Sequence, residues 1–152
     1  MKAKGVFIPG NTPSSKNTKS MVFHNKDGSK RDKPILLSSA TTAKYIKATK
    51  LAWLENKEVF HHLVGDSPLP LVVGFHFYRK TKREYDWINA LQVVQDLMVE
   101  YGWIKDDSVS YLIPVPFKMK GSYSTHNKDN PGTWIVPITK QVLKDLNGNL
   151  DE

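Results

Sequence analysis

The 152-residue chain contains no cysteine. That excludes disulfide bridges, thiolate-held zinc and cysteine nucleophiles, and leaves oxygen and imidazole to hold any metal. Long apolar runs are missing as well. The opening MKAKGVFIPGNTP has only a short apolar stretch before proline and polar residues, too little for the core of a signal peptide. No segment approaches the ~18 apolar residues of a membrane span, so the expectation is a soluble, cytoplasmic protein. The sequence has no phosphate-binding P-loop, no dinucleotide fingerprint, no serine-hydrolase motif, no internal repeat and no low-complexity segment.

What is present describes an ordinary globular chain. Apolar residues make up 39% and charged residues 24%, fractions at which a packed core forms, and the length fits one domain spanning residues 1–152 with a frayed tail over 147–152. Lysine and arginine number 22 against 15 acids, a net charge of +7, which favours a polyanionic partner.

Local patterns predict a mixed α/β (α+β) domain: a small mixed sheet packed by two main helices. Residues 5–8 read as a strand entering the turn-rich loop PGNTPSSKN. Two short strands over 21–23 and 35–37 flank Asp27-Gly28, and a helix runs from about Thr41 to a stop at Gly65. Lys44, Lys47 and Lys50 fall three apart on that helix and read as a solvated face. Residues 71–78 form a strand ending in the basic run RKTKR. A second helix covers 87–101 and stops at Gly102; strands follow over 108–115 and 133–138, separated by a loop over 118–132, with a short terminal helix over 139–146.

The second helix carries the most informative pattern. At 100° per residue, Leu91, Val94, Leu97, Met98 and Tyr101 fall on one side, while Asn89, Gln92, Asp96 and Glu100 gather on the other. The polar stripe starts beside Glu84 and Asp86, which share a face if their segment is extended. Asp106-Asp107 lies just past the far end. Two or three carboxylates suffice for magnesium, which supplies charge stabilisation and a hydroxide source for phosphodiester hydrolysis. Acids at both ends of a helix share an ion only if the Asp106-Asp107 turn folds back toward Glu84 and Asp86, and the site is expected to depend on that convergence.

The run RKTKREYD, then Asn89, Gln92, Asp96 and YGWIKDDS, resembles the signature of the RusA-like Holliday-junction resolvases; the opening IPGNTPSSKN is similar to that family's first strand and proline-rich loop. The resemblance implies a homodimeric endodeoxyribonuclease, bacterial or phage-encoded, that needs magnesium, or manganese in its place, and no organic cofactor. Such an enzyme nicks branched DNA such as four-way junctions in recombination and repair. Carried over residue by residue, Glu84, Asp86 and Asp107, with Asp106 beside it, match the metal-binding acids. Asp96 matches the acid on the helix, and Asn89 and Gln92 complete the catalytic set by orienting ligands. Lys80, Lys82 and Arg83, with Lys16 and Lys19 as lesser candidates, would grip the DNA backbone.

The sequence departs from the family pattern in three places. Glu84 stands where the family usually has Asp. Trp87 and Ile88 separate Asp86 from Asn89. Gln92 replaces a lysine associated with catalysis, leaving Lys82, Lys105 or another basic residue to supply that charge. The last departure keeps a rival reading open, a module that binds branched or single-stranded DNA without cutting it; a basic protein with no nucleic-acid partner is a third.

Other features carry less. His126-Asn127 lacks the second histidine of an HNH nuclease, and His61-His62 sits near a helix end, where capping is the ordinary role. Trp103 is assigned to the core, whereas Trp87, Tyr123 and Trp134 either stack on unpaired bases or serve as packing contacts.

Overall fold

The computed structural model describes residues 4–14, 19–25 and 27–140, with the side chains of 19–23 and 31–38 outside the description. In chain order the elements are β1 (Val6–Pro9), β2 (Lys19–His24), β3 (Lys30–Ser38), α1 (Ala40–Val64), β4 (Leu71–Arg79), α2 (Trp87–Glu100), β5 (Leu112–Pro116), β6 (Ser124–His126) and β7 (Gly132–Pro137). The main sheet runs β1-β7-β4-β5, and β2 and β3 form a separate hairpin.

The main sheet is mixed, as expected. Strand β7 lies antiparallel between β1 and β4, while β5 and then β6 line the other edge of β4, both parallel to it. A parallel neighbour needs a crossover, and α2 supplies it between β4 and β5. The first four residues expected to belong to β5 instead turn, Ser108 O accepting from Tyr111 N and Leu112 N, so the strand starts at Leu112. Pro114 and Pro116 then fall on an edge strand, where a missing N–H is tolerated. The segment read as one loop over 118–132 contains β6. The terminal helix expected over 139–146 and the frayed tail lie, beyond Lys140, outside the described residues.

Strand alternation decides which face is covered. Val73, Phe75 and Phe77 of β4 are fully buried together with Ile135 of β7 and Val6 and Ile8 of β1. Both helices pack on this face: Tyr45, Trp53 and Phe60 of α1 and Leu91, Val94, Leu97 and Met98 of α2 join the same cluster. Helix α1 forms because its buried residues Thr42, Tyr45, Thr49, Trp53 and Phe60 recur at helical spacing, Ser39 caps its start and Gly65, at φ 57, ends it.

Trp103, assigned to the core from sequence, is 2% exposed. Its ring lies 5.1 Å from Trp53 and 5.0 Å from Phe60, and its Nε1 donates to Trp53 O at 2.9 Å. This junction ties the segment after α2 to the C-terminal half of α1, while Thr12 and Thr133 meet Tyr45 near its start. The two helices therefore run in the same direction across the sheet.

Among the described residues no helix is long and apolar enough to cross a membrane.

Candidate functional site

The C-terminal end of β4 is where sequence-distant segments meet. Arg79 shares strand parity with Phe75 and Phe77, so its side chain turns toward the helix-covered face. There its guanidinium donates to Thr12 O and, at 3.2 Å, to Ser14 Oγ, and sits 4.2 Å over the Tyr85 ring. Burial lowers the Arg79 pKa and raises that of Tyr85. Asn11 Oδ1 accepts from Lys80 N at 2.9 Å, and Asn89 Nδ2 donates to Ser14 O at 3.4 Å. The proline-rich loop is thereby pinned against the start of α2.

The chain bends over residues 80–82 and reaches α2 with Asp86 in extended conformation, and burial alternates over the last three residues. Tyr85 turns inward, its Oη donating to Ser124 Oγ at 2.7 Å, while Glu84 and Asp86 on either side are exposed. Asp86 is the N-cap of α2: Oδ1 accepts from Ile88 N at 3.0 Å and Asn89 N at 3.3 Å, which leaves its other oxygen without a hydrogen bond among the described residues. The amide dipoles at the helix start favour negative charge there. Lys80, Lys82 and Arg83 are exposed beside the acids, and a groove of about 540 Å³ is lined by Lys82, Arg83 and Glu84 with Arg79, Tyr85 and His126, but not by Asp86.

Asp106 and Asp107 are not in this neighbourhood. The expectation that their turn folds back onto Glu84 and Asp86 fails within one copy, because α2 is a crossover. Asp86 follows the end of β4, whereas Asp107 precedes β5, whose first residue pairs with the beginning of β4 at Leu71. Fourteen helical residues rise about 21 Å, so the two sets of acids stand about 20 Å apart. Among the described residues no three His, Asp or Glu side chains are grouped to hold a metal.

Gln92 and Asp96 are exposed along the outer side of α2. Lys105 stands at the far end, its Nζ 5.8 Å from the centre of the Tyr111 ring, whereas Lys82 and the other residues of the basic run stand at the Asp86 end. Lys16, and the side chain of Lys19, lie outside the described residues. His61 Nε2 is 3.1 Å from Trp103 O, a structural contact. Trp87 borders a second groove of about 530 Å³ with Tyr85, Pro116, Tyr123 and Ser124; Tyr123 is 56% exposed, and Trp134 packs on Phe7 at 5.1 Å.

Sequence reasoning missed Arg79, Tyr85, Ser124 and His76. For Arg79 the signal was parity with Phe77, hidden by its membership of a basic run.

His76 is fully buried on the opposite face of β4. It contacts Phe117 O and Thr125 Oγ1, each at 2.7 Å. A carbonyl only accepts, so Nδ1 carries the proton and Nε2 accepts from the threonine hydroxyl. The neutral ring thus ties β6 and the segment after β5 to the central strand. Burial lowers its pKa from 6.5, so the unfolded chain binds the proton more readily. The stabilisation is present above 6.5 and is lost as pH falls through the folded value. Urea midpoints measured from pH 8 to pH 5 are expected to fall below 6.5, more steeply than in His76→Gln; equal slopes would remove His76 as the cause.

Compared with family models, with curated proteins and with solved structures, the chain matches none.

Proposed function

We propose that the chain is a magnesium-dependent, structure-specific endonuclease for branched DNA, of the kind its RusA-like signature implies. The observation that carries this reading is the pair Glu84 and Asp86, exposed on one side of an extended segment whose middle residue, Tyr85, is anchored inward, with Lys80, Lys82 and Arg83 around them. Two carboxylates fit magnesium, which keeps several waters and takes few protein oxygens. Bound there, the ion would supply charge stabilisation at the phosphodiester and a hydroxide source near neutral pH. Glu84 and Asp86 hold it. Lys80 and Arg83 grip the backbone, and Lys82 provides the cation that Gln92 does not.

The span of α2 bears on the third acid. If Asp107, with Asp106, takes part, it does so from a second copy of the chain, so each site would combine Glu84 and Asp86 of one subunit with the partner's Asp107. A homodimer then has two sites, matching symmetric nicking of two strands.

The test is incubation of purified protein with a labelled four-way junction and with linear duplex, with and without magnesium. Magnesium-dependent cutting of the junction supports the enzyme. Junction binding without cutting points to the rival module, which the glutamine at position 92 favours, and neither outcome leaves a protein with another partner. Binding is also expected to weaken steeply with salt, and Lys80→Ala with Lys82→Ala to flatten the log–log slope by about 2; an unchanged slope would place the DNA elsewhere.

A further inference from the structure

The outward side of α1 is unlike an ordinary solvated face. Leu51 is 69% exposed, and Leu54 and Val59 are each 47% exposed. Around them charge is segregated. Lys44 and Lys47 lie in the N-terminal half and Glu55 and Glu58 in the C-terminal half, all exposed. Neighbours three apart are of like sign, an arrangement that weakens an isolated helix by a few tenths of a kcal/mol per pair. It also opposes the helix dipole, which favours acids toward the start and bases toward the end.

The same pattern is self-complementary. Place a second α1 against the first, antiparallel, with the two-fold axis at Leu51. Lys47 is then level with the partner's Glu55, four residues from the axis on the other side, and Lys44 with the partner's Glu58, seven residues away. Leu51 meets the partner's Leu51 at the centre. A parallel pairing would set lysine beside lysine and glutamate beside glutamate. We propose that this face of α1 docks a second copy of the chain, antiparallel and isologous.

The inference stands on the helix face and deepens the nuclease reading through one consequence. Because α1 and α2 run in the same direction, an antiparallel partner brings its own Asp106-Asp107 end level with Asp86 and Glu84, as the composite site requires.

The experiment is sedimentation equilibrium of the full chain and of two charge-reversed variants, Lys44→Glu with Lys47→Glu and Glu55→Lys with Glu58→Lys. The wild type is expected to dimerise. Each variant alone sets like charges together, weakening the dimer by on the order of 100-fold, and an equimolar mixture of the two regains it as a heterodimer. All substituted positions are exposed, and circular dichroism checks that each variant folds. A monomeric wild type, variants that still dimerise alone, or a mixture that stays monomeric would each overturn the proposal. A restored heterodimer that fails to cut junctions would overturn the nuclease reading and leave the interface standing.

Discussion

Asp86→Asn is expected to lower magnesium-dependent junction cleavage by on the order of 10²- to 10³-fold, the effect of removing several kcal/mol of charge stabilisation, while leaving the melting temperature nearly unchanged. The separation is possible because the proposed metal ligand Asp86 is also a helix cap. Its Oδ1 caps α2, and asparagine caps a helix about as well as aspartate. Only the charge is lost. Asp86→Ala removes both and should cost about 1 kcal/mol of stability in addition. Glu84→Gln tests the other acid without touching the cap.

The composite arrangement makes a sharper claim. Asp86→Asn and Asp107→Asn are each expected to be impaired to that extent, yet a mixed dimer of the two contains one site with both aspartates intact and one with neither. Mixing the impaired variants should therefore restore single-strand nicking of the junction. No recovery from verified mixed dimers would mean that Asp107 does not complete a partner's site.

The second large effect concerns stability. Gly132→Ala is expected to destabilise the fold by about 3 kcal/mol, at the upper end of overpacking changes, read from the shift of the urea midpoint. A Cβ at this position would lie 2.6 Å from Ile8 O and collide with the Phe7 ring. The carbonyl belongs to the β1–β7 ladder, where Ile8 pairs with Thr133 and Pro9 with Gly132, so relief requires strand β1 to move. Gly74→Ala is the contrast. Its Cβ would meet Phe117 Cδ2 at 2.7 Å and Phe117 Cβ at 3.0 Å; the ring can rotate away, and the Cβ contact needs a shift of only about a few tenths of an ångström from an edge segment. If Gly132→Ala proves as mild as Gly74→Ala, backbone crowding at β1 is not what requires the glycine.

Helices were the most legible part of the sequence, because their periodicity is local. The helical spacing of Tyr45, Ala48, Leu51 and Ala52 and the stop at Gly65 located α1, though its buried side runs through Tyr45, Trp53 and Phe60 and leaves Leu51 exposed; Leu91, Val94, Leu97 and Met98 located the buried side of α2. Of the outer stripe, Gln92, Asp96 and Glu100 are exposed as the wheel required, while Asn89 is half-buried against Ser14. Two short strands around Asp27-Gly28 were also expected, but not their antiparallel pairing or their full extent over Lys19–His24 and Lys30–Ser38. The relation between the two ends of α2 was not legible. Whether β5 returns antiparallel or parallel to β4 is decided by how α2 packs on the sheet, and the parallel outcome carries Asp107 to the opposite end from Asp86. The anchoring role of Arg79 was hidden in a similar way, since its partners Thr12 and Ser14 lie 67 and 65 residues away.

The position of β7 has a consequence for biosynthesis. This strand sits between β1 and β4, yet it is the last strand of the described chain, and Val6 must wait for Ile135 to be paired. While the ribosome is still translating residues before Gly132, the first strand has no neighbour and β4 keeps one ladder open. Closure of the sheet is therefore a late, non-local event. A messenger truncated upstream of that glycine would release polypeptide with two unsatisfied strand edges, prone to pair with other chains rather than remain dispersed.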